Sequence, residues 1–62
     1  MHRILIVDDK KQVRRMITRQ LQKRGYLTVE AEDGQQALDI MRTQEIDTVL
    51  LDHIMPAMNG LE

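Results

Sequence analysis

Apolar residues arrive in an unbroken block at the start of the chain: Ile4, Leu5, Ile6 and Val7 follow Arg3 without a polar interruption. A short continuous run rich in β-branched side chains predicts a strand over 3–7 that is buried on both faces. Asp8 and Asp9 end it and stand where they can cap the segment that follows. Over 11–24 the pattern changes period. Val13, Met16, Ile17 and Leu21 fall on one face of a helix, and Gly25 occupies the place of a helix C-cap.

Over 27–32 the period changes again: Leu27, Val29 and Ala31 alternate with Thr28, Glu30 and Glu32. Alternation predicts a strand with one wet face, at a sheet edge. Asp33 is a candidate N-cap for a second helix over 34–44, with Ala37, Leu38 and Met41 turned inward. The stretch 48–51 is apolar throughout after Thr48 and reads as a central strand. Strand and helix therefore alternate as βαβαβ, which argues for an α/β fold with a parallel sheet. The spatial order 2-1-3 fits these burial patterns. Crossovers are right-handed, so the two helices land on opposite faces.

A parallel sheet gathers the C-terminal ends of its strands on one rim. Asp8 and Asp9 follow the first strand and Asp52 follows the third. If those strands are neighbours, the gap between their tips is the switch point where such sheets bind ligands. Three converging carboxylates repel one another unless a cation joins them. Oxygen ligands without His or Cys favour a hard ion such as Mg²⁺, which keeps open positions for a phosphoryl oxygen. A carboxylate in such a site can also act as a nucleophile and carry an aspartyl-phosphate.

Composition narrows the alternatives. A chain of 62 residues makes one small domain, and one of that size buries only about 60% of its unfolded surface. There is no cysteine, hence no disulfide framework and no thiolate metal site. A net charge of −1 gives no general case for nucleic acid or membrane, and Tyr26 alone provides no stacking platform. The basic cluster Lys10, Lys11, Arg14, Arg15, Arg19, Lys23 and Arg24 reads as a solvated helix face. The opening apolar run is too short for a signal peptide or a membrane span.

Each acidic feature also has a plainer explanation. Asp8-Asp9 can be helix capping, and Asp52 can be a turn former. In Met55-Pro56-Ala57-Met58-Asn59-Gly60, Pro56 fixes φ and Asn59-Gly60 tolerates positive φ, as any turn requires. His53 reads as a rim residue, with no second His beside it, and Met55 and Met58 read as gap fillers. The coincidence of the acidic pair with the later acid and its turn favours the functional reading.

Together Ile4–Asp9 (ILIVDD), Glu32–Leu38 (EDGQQAL) and Val49–Glu62 (VLLDHIMPAMNGLE) resemble the response-regulator receiver domain of two-component signalling. The resemblance runs the length of the chain and implies the N-terminal half of a flavodoxin-like, doubly wound sheet. Receiver domains are themselves a standard example of the 2-1-3-4-5 order, so the order 2-1-3 is implied by the resemblance as much as by the pattern. On this likeness Asp52 matches the phosphoacceptor and Asp9 the direct Mg²⁺ ligand. Asp8 matches the acid that helps through water, and Ile54 the residue whose backbone carbonyl completes the metal's protein ligands. Lys10, Ile54 and Met55 fall at positions that tune the lifetime of the phosphoryl group.

Receiver domains continue through further strands and helices that carry a phosphoryl-contacting Ser or Thr and an ion-pairing Lys. Neither has a counterpart here: Thr48 opens its strand at the wrong end, and Lys10 follows the acidic pair. The expectation is half a domain, arising by truncation, proteolysis or design. Its parent would be cytoplasmic, would take phosphate from a sensor histidine kinase, and would be a phosphoacceptor rather than an enzyme. A second expectation is an assembly module that self-associates through the third strand or pairs with a second half-domain. A phosphatase or ATPase of another aspartyl-phosphate fold is disfavoured, because those resemble Asp-x-Asp and here His53-Ile54 follows Asp52.

Overall fold

The computed structural model describes residues 1–51. Their elements run β1 (Arg3–Val7), α1 (Lys11–Lys23), β2 (Leu27–Ala31), α2 (Gly34–Thr43) and β3 (Thr48–Leu51). The strands form one parallel sheet in the order β2-β1-β3. β1 pairs Ile4 with Thr28 on one side and with Thr48 on the other, and the ladders end where Val7 meets Ala31 and Leu51.

Side chains alternate across a strand, so the register sorts the sheet into two faces. Leu5, Val7, Val29 and Ala31 share one face, where Ala37 and Ile40 of α2 and Ile46 pack on them. Ile4, Ile6, Thr28 and Glu30 share the other, which α1 covers. Leu5, Ile6 and Val7 are fully buried. Burial of such a side chain contributes about 1.5–3 kcal/mol. β1 is the core of the molecule.

Several expectations need correction. The polar face of β2 is not wet: Thr28 and Glu30 are half-buried beneath α1. They are matched there by Gln22 Nε2, which donates to Thr28 Oγ1 at 2.9 Å, and by Arg14. In α1 Met16 is 56% exposed, whereas Thr18 is buried. The sheet-facing stripe is Arg14, Ile17, Thr18 and Leu21, turned away from Met16. In α2 Ala37 is buried but Leu38 and Met41 are exposed, and Ile40 takes the inward place. Successive helical residues are rotated by about 100°, so presenting Ala37 and Ile40 turns Leu38 away and leaves Met41 at the margin of the stripe.

The third strand is not central among the described residues. Neither helix packs on β3, and Val49, Leu50 and Leu51 are 39%, 38% and 47% exposed.

Helix ends follow local chemistry. Gly25 has φ +90°, and its N–H donates to Gln22 O while Tyr26 N–H donates to Leu21 O. This is a Schellman ending, which needs a residue in the left-handed region. Asp33 caps α2, its Oδ1 accepting from Gln36 N–H at 2.8 Å. At the opposite rim Arg3 and Asp47 exchange bonds: Asp47 N–H donates to Arg3 O, and Arg3 N–H donates to Asp47 Oδ2. His2 Nε2 lies 2.7 Å from Thr48 Oγ1. These bonds fasten the start of β3 to the start of β1.

Candidate functional site

The C-terminal rim of β1 is where the acidic pair emerges. Asp8 is fully buried, and contacts to three described residues help to fix it. Its N–H continues the ladder by donating to Ala31 O at 3.1 Å. Its carbonyl accepts from Arg14 Nη1 at 2.8 Å. Its Oδ1 accepts from Lys10 N–H, also at 2.8 Å. That last bond is an Asx-type turn, so the acidic pair does not cap α1. The N-cap is Lys10, which makes no side-chain cap. Turning Asp8 back on Lys10 leaves Asp9 exposed. Asp9 makes no hydrogen bond or ion pair with another described residue. α1 starts at this rim, so the positive pole of its dipole lies beside the acids.

Val7 is in register with Leu51, so β1 and β3 end on the same rim. After Val7 come Asp8 and Asp9; after Leu51 comes Asp52. Asp52 and Ile54 lie outside the described residues, as do His53, Met55, Pro56, Met58, Asn59 and Gly60. The structure therefore brings Asp8 and Asp9 to the rim beside the end of β3. Glu32 and Asp33 reach the same rim from β2 but are engaged at the start of α2. Glu32 N–H donates to Gln36 Oε1, and Gln36 donates through Nε2 to Glu32 Oε1 and through its N–H to Asp33 Oδ1.

Arg14 is the residue that sequence reasoning missed. Placed with the solvated basic face, it instead lies 12% exposed between α1 and the sheet. Its Nε donates to Glu30 Oε1 at 2.9 Å while Nη1 holds Asp8 O. One side chain thus ties the acidic turn, the helix behind it and β2 together. A signal was present: Arg14 lies on the same helical stripe as Ile17, Thr18 and Leu21, and Glu30 is the charge inside β2.

The response regulator receiver domain model matches residues 4–62. The chain belongs to that family. Among curated receiver proteins, response regulator MprA of Mycolicibacterium vanbaalenii is 45% identical over 60 residues, covering 97% of this chain and 26% of the relative. Sporulation initiation phosphotransferase F of Bacillus subtilis is also 45% identical, with 97% of this chain and 48% of the relative covered. Among solved structures, a chain from the complex of histidine kinase ThkA with response regulator protein TrrA superposes at a TM-score of 0.85 with 41% identity. That match covers 98% of this receiver chain and 53% of the neighbour. The receiver sequence here thus spans about half, or less, of the proteins it matches. The similarity supports the flavodoxin-like order 2-1-3 observed in the sheet. No helix of the described residues is long and apolar enough to cross a membrane.

Proposed function

We propose that this chain supplies the phosphoacceptor half of a cytoplasmic receiver domain, with Asp52 taking the phosphoryl group from a histidine of a sensor kinase. The observation that carries this reading is the fixed acidic turn, Asp8-Asp9, beside the end of the strand that leads into Asp52. A carboxylate oxygen of Asp52 attacks phosphorus, the phosphorus–nitrogen bond breaks, and the departing imidazole nitrogen keeps the electron pair and gains a proton.

The residues present fit a hard divalent ion. Asp9 is exposed and unengaged by the described residues, and the donor set is all oxygen. Asp9, Asp52 and the Ile54 carbonyl would hold Mg²⁺, with Asp8 behind them. The ion supplies positive charge against the acids and the incoming phosphoryl oxygens. The chain's own part is to hold the acids in place. Arg14 and the Lys10 N–H fix Asp8, and the ladder to β2 fixes its backbone.

In the test, the chain is incubated with a small phosphoryl donor and Mg²⁺ and followed by intact mass, with Asp52→Asn alongside. We expect an acid-labile adduct that is lost in the variant and forms slowly. The 62-residue sequence lacks the family's Ser or Thr and Lys at the phosphoryl group, and stabilisers of that kind are commonly worth about 10²–10³ in rate each. An adduct that persists in Asp52→Asn would overturn the assignment.

A second reading, assembly, is favoured by β3. Its outer side is an open edge among the described residues, and Val49, Leu50 and Leu51 are partly bare. Such an edge is a template for pairing, and a two-fold axis would close the contact. Light scattering after size exclusion should show a concentration-dependent oligomer that Val49→Lys weakens. A monomer at every concentration would dismiss it.

A further inference from the structure

The opposite edge of the sheet has a different character. β2 is the other outer strand, so one side of its backbone is unpaired among the described residues. A groove runs alongside, lined by Arg15, Thr18, Arg19 and Gln22 of α1 and by Glu30 of β2. Its lining draws on β2 and not on β1 or β3, so the groove opens over the outer edge of the sheet.

The charges in this groove are unbalanced. Glu30 is already paired with Arg14. Arg15 and Arg19 make no ion pair among the described residues, and α1 contains no Asp or Glu that could offset them. Between them in sequence lies Thr18, buried at 8% exposure, whose hydroxyl has no hydrogen-bond partner among the described residues. A buried hydroxyl without a partner is costly. Two uncompensated guanidiniums therefore stand over an open strand edge, with a spare hydroxyl between them in sequence.

The spacing selects a partner. Arg15 and Arg19 are four helical residues apart, a rise of about 6 Å. Alternate side chains on one face of a strand are about 6.6 Å apart. We propose that the outer edge of β2 and the adjoining flank of α1 receive an extended protein segment carrying acidic residues at alternate positions. The segment adds a strand beside β2. Its backbone takes the free edge groups, and the acids on its α1 side meet Arg15 and Arg19. Edge pairing gives affinity and the alternate side chains give specificity. This surface uses none of Asp8, Asp9 and Asp52, so it stands or falls separately from phosphoryl transfer.

The probe is a labelled peptide, acetyl-Thr-Glu-Val-Glu-Val-Thr-amide, compared by fluorescence anisotropy with its isomer acetyl-Thr-Glu-Glu-Val-Val-Thr-amide. The full 62-residue chain is used, and backbone hydrogen exchange is read over Leu27–Ala31. We expect the alternating peptide to bind about threefold more tightly than its isomer, which keeps one Glu on the α1 side and so loses one exposed ion pair. Exchange over Leu27–Ala31 should slow on binding. Arg15→Glu with Arg19→Glu, both on the exposed side of α1, should reverse the preference toward a Lys-x-Lys peptide while the circular dichroism spectrum is unchanged. Equal binding of the two isomers, unaltered exchange in β2, or no measurable binding would each overturn the proposal.

Discussion

Replacing Arg14 with methionine keeps the aliphatic stem and helix propensity but removes every charged contact the side chain makes. One loss is the 2.8 Å bond from Nη1 to Asp8 O. The other is the 2.9 Å pair with Glu30, in a setting where the two side chains are 12% and 30% exposed. A hydrogen bond from a charged group contributes about 1.5–3 kcal/mol, and a partly exposed pair adds about 0.5–1 kcal/mol. The expected destabilisation is about 2–4 kcal/mol. A domain of this length has a total of roughly 3–9 kcal/mol, so the effect should be large. With a urea slope of about 1 kcal/mol/M, the midpoint should fall by about 2–4 M. Glu30→Gln alone should cost about 1 kcal/mol. The double variant should reveal a coupling of about 1 kcal/mol, because each single change already breaks the shared pair. Protein concentration must be fixed throughout, since any self-association shifts the midpoint. Amide exchange at Asp8 and Lys10 should quicken in Arg14→Met. A coupling below about 0.3 kcal/mol, with the exchange of Asp8 and Lys10 unchanged, would refute the view that Arg14 locks the acidic turn.

Two further outcomes follow from local geometry. At Gly25, with φ +90° and no atom within 4 Å of an added Cβ, L-alanine should cost about 1 kcal/mol through backbone strain alone. D-alanine, introduced by chemical synthesis, should leave stability level or raise it. At Lys10, an extended N-cap without a side-chain bond, serine should raise stability by about 0.5–1 kcal/mol in thermal unfolding. No gain would mean that the first N–H groups of α1 already have partners.

Most of the fold could be read from the chain because hydrophobic period and sheet position agree. Continuous burial marked β1, and Asp33 and Gly25 punctuated the helices as their chemistry requires. The misreadings share a cause: period finds an apolar stripe but does not rotate it. Leu38 and Met41 are apolar and lie off the packed stripe of α2, while Thr18 is polar and lies on that of α1. Apolarity marked β3 as a strand with a neighbour on each side, and in the expected order β2-β1-β3 its outer side is an open edge among the described residues. At the site, Asp8 and Asp9 were legible from their place after a buried strand. Arg14 was not, because its partner Glu30 is distant in sequence and a charged residue is ordinarily assigned to water. Short-range rules also allow the acidic pair to cap α1. The turn onto Lys10 N–H is an equally local alternative, and the buried setting of Asp8 selects it.

The position of β1 also fixes an order of assembly. β1 is made first, yet it must pair on both sides with strands made later. Its partner for Ile4 is Thr28 on one side and Thr48 on the other. Nearly doubling the loop to reach Thr48 adds only about 0.5 kcal/mol of closure entropy. The larger asymmetry is in what each pairing recovers. Joining β2 brings both helices onto the sheet, whereas joining β3 brings neither. The first two strands and their helices are therefore expected to form the nucleus, with β3 docking last, an order that the kinetics of core variants in β2 and β3 would check. By the same reasoning β3 is the first to detach, with the lowest opening free energy of the strands. The strand that precedes Asp52 in sequence thus belongs to the least protected part of the sheet, and the acidic turn to the most protected.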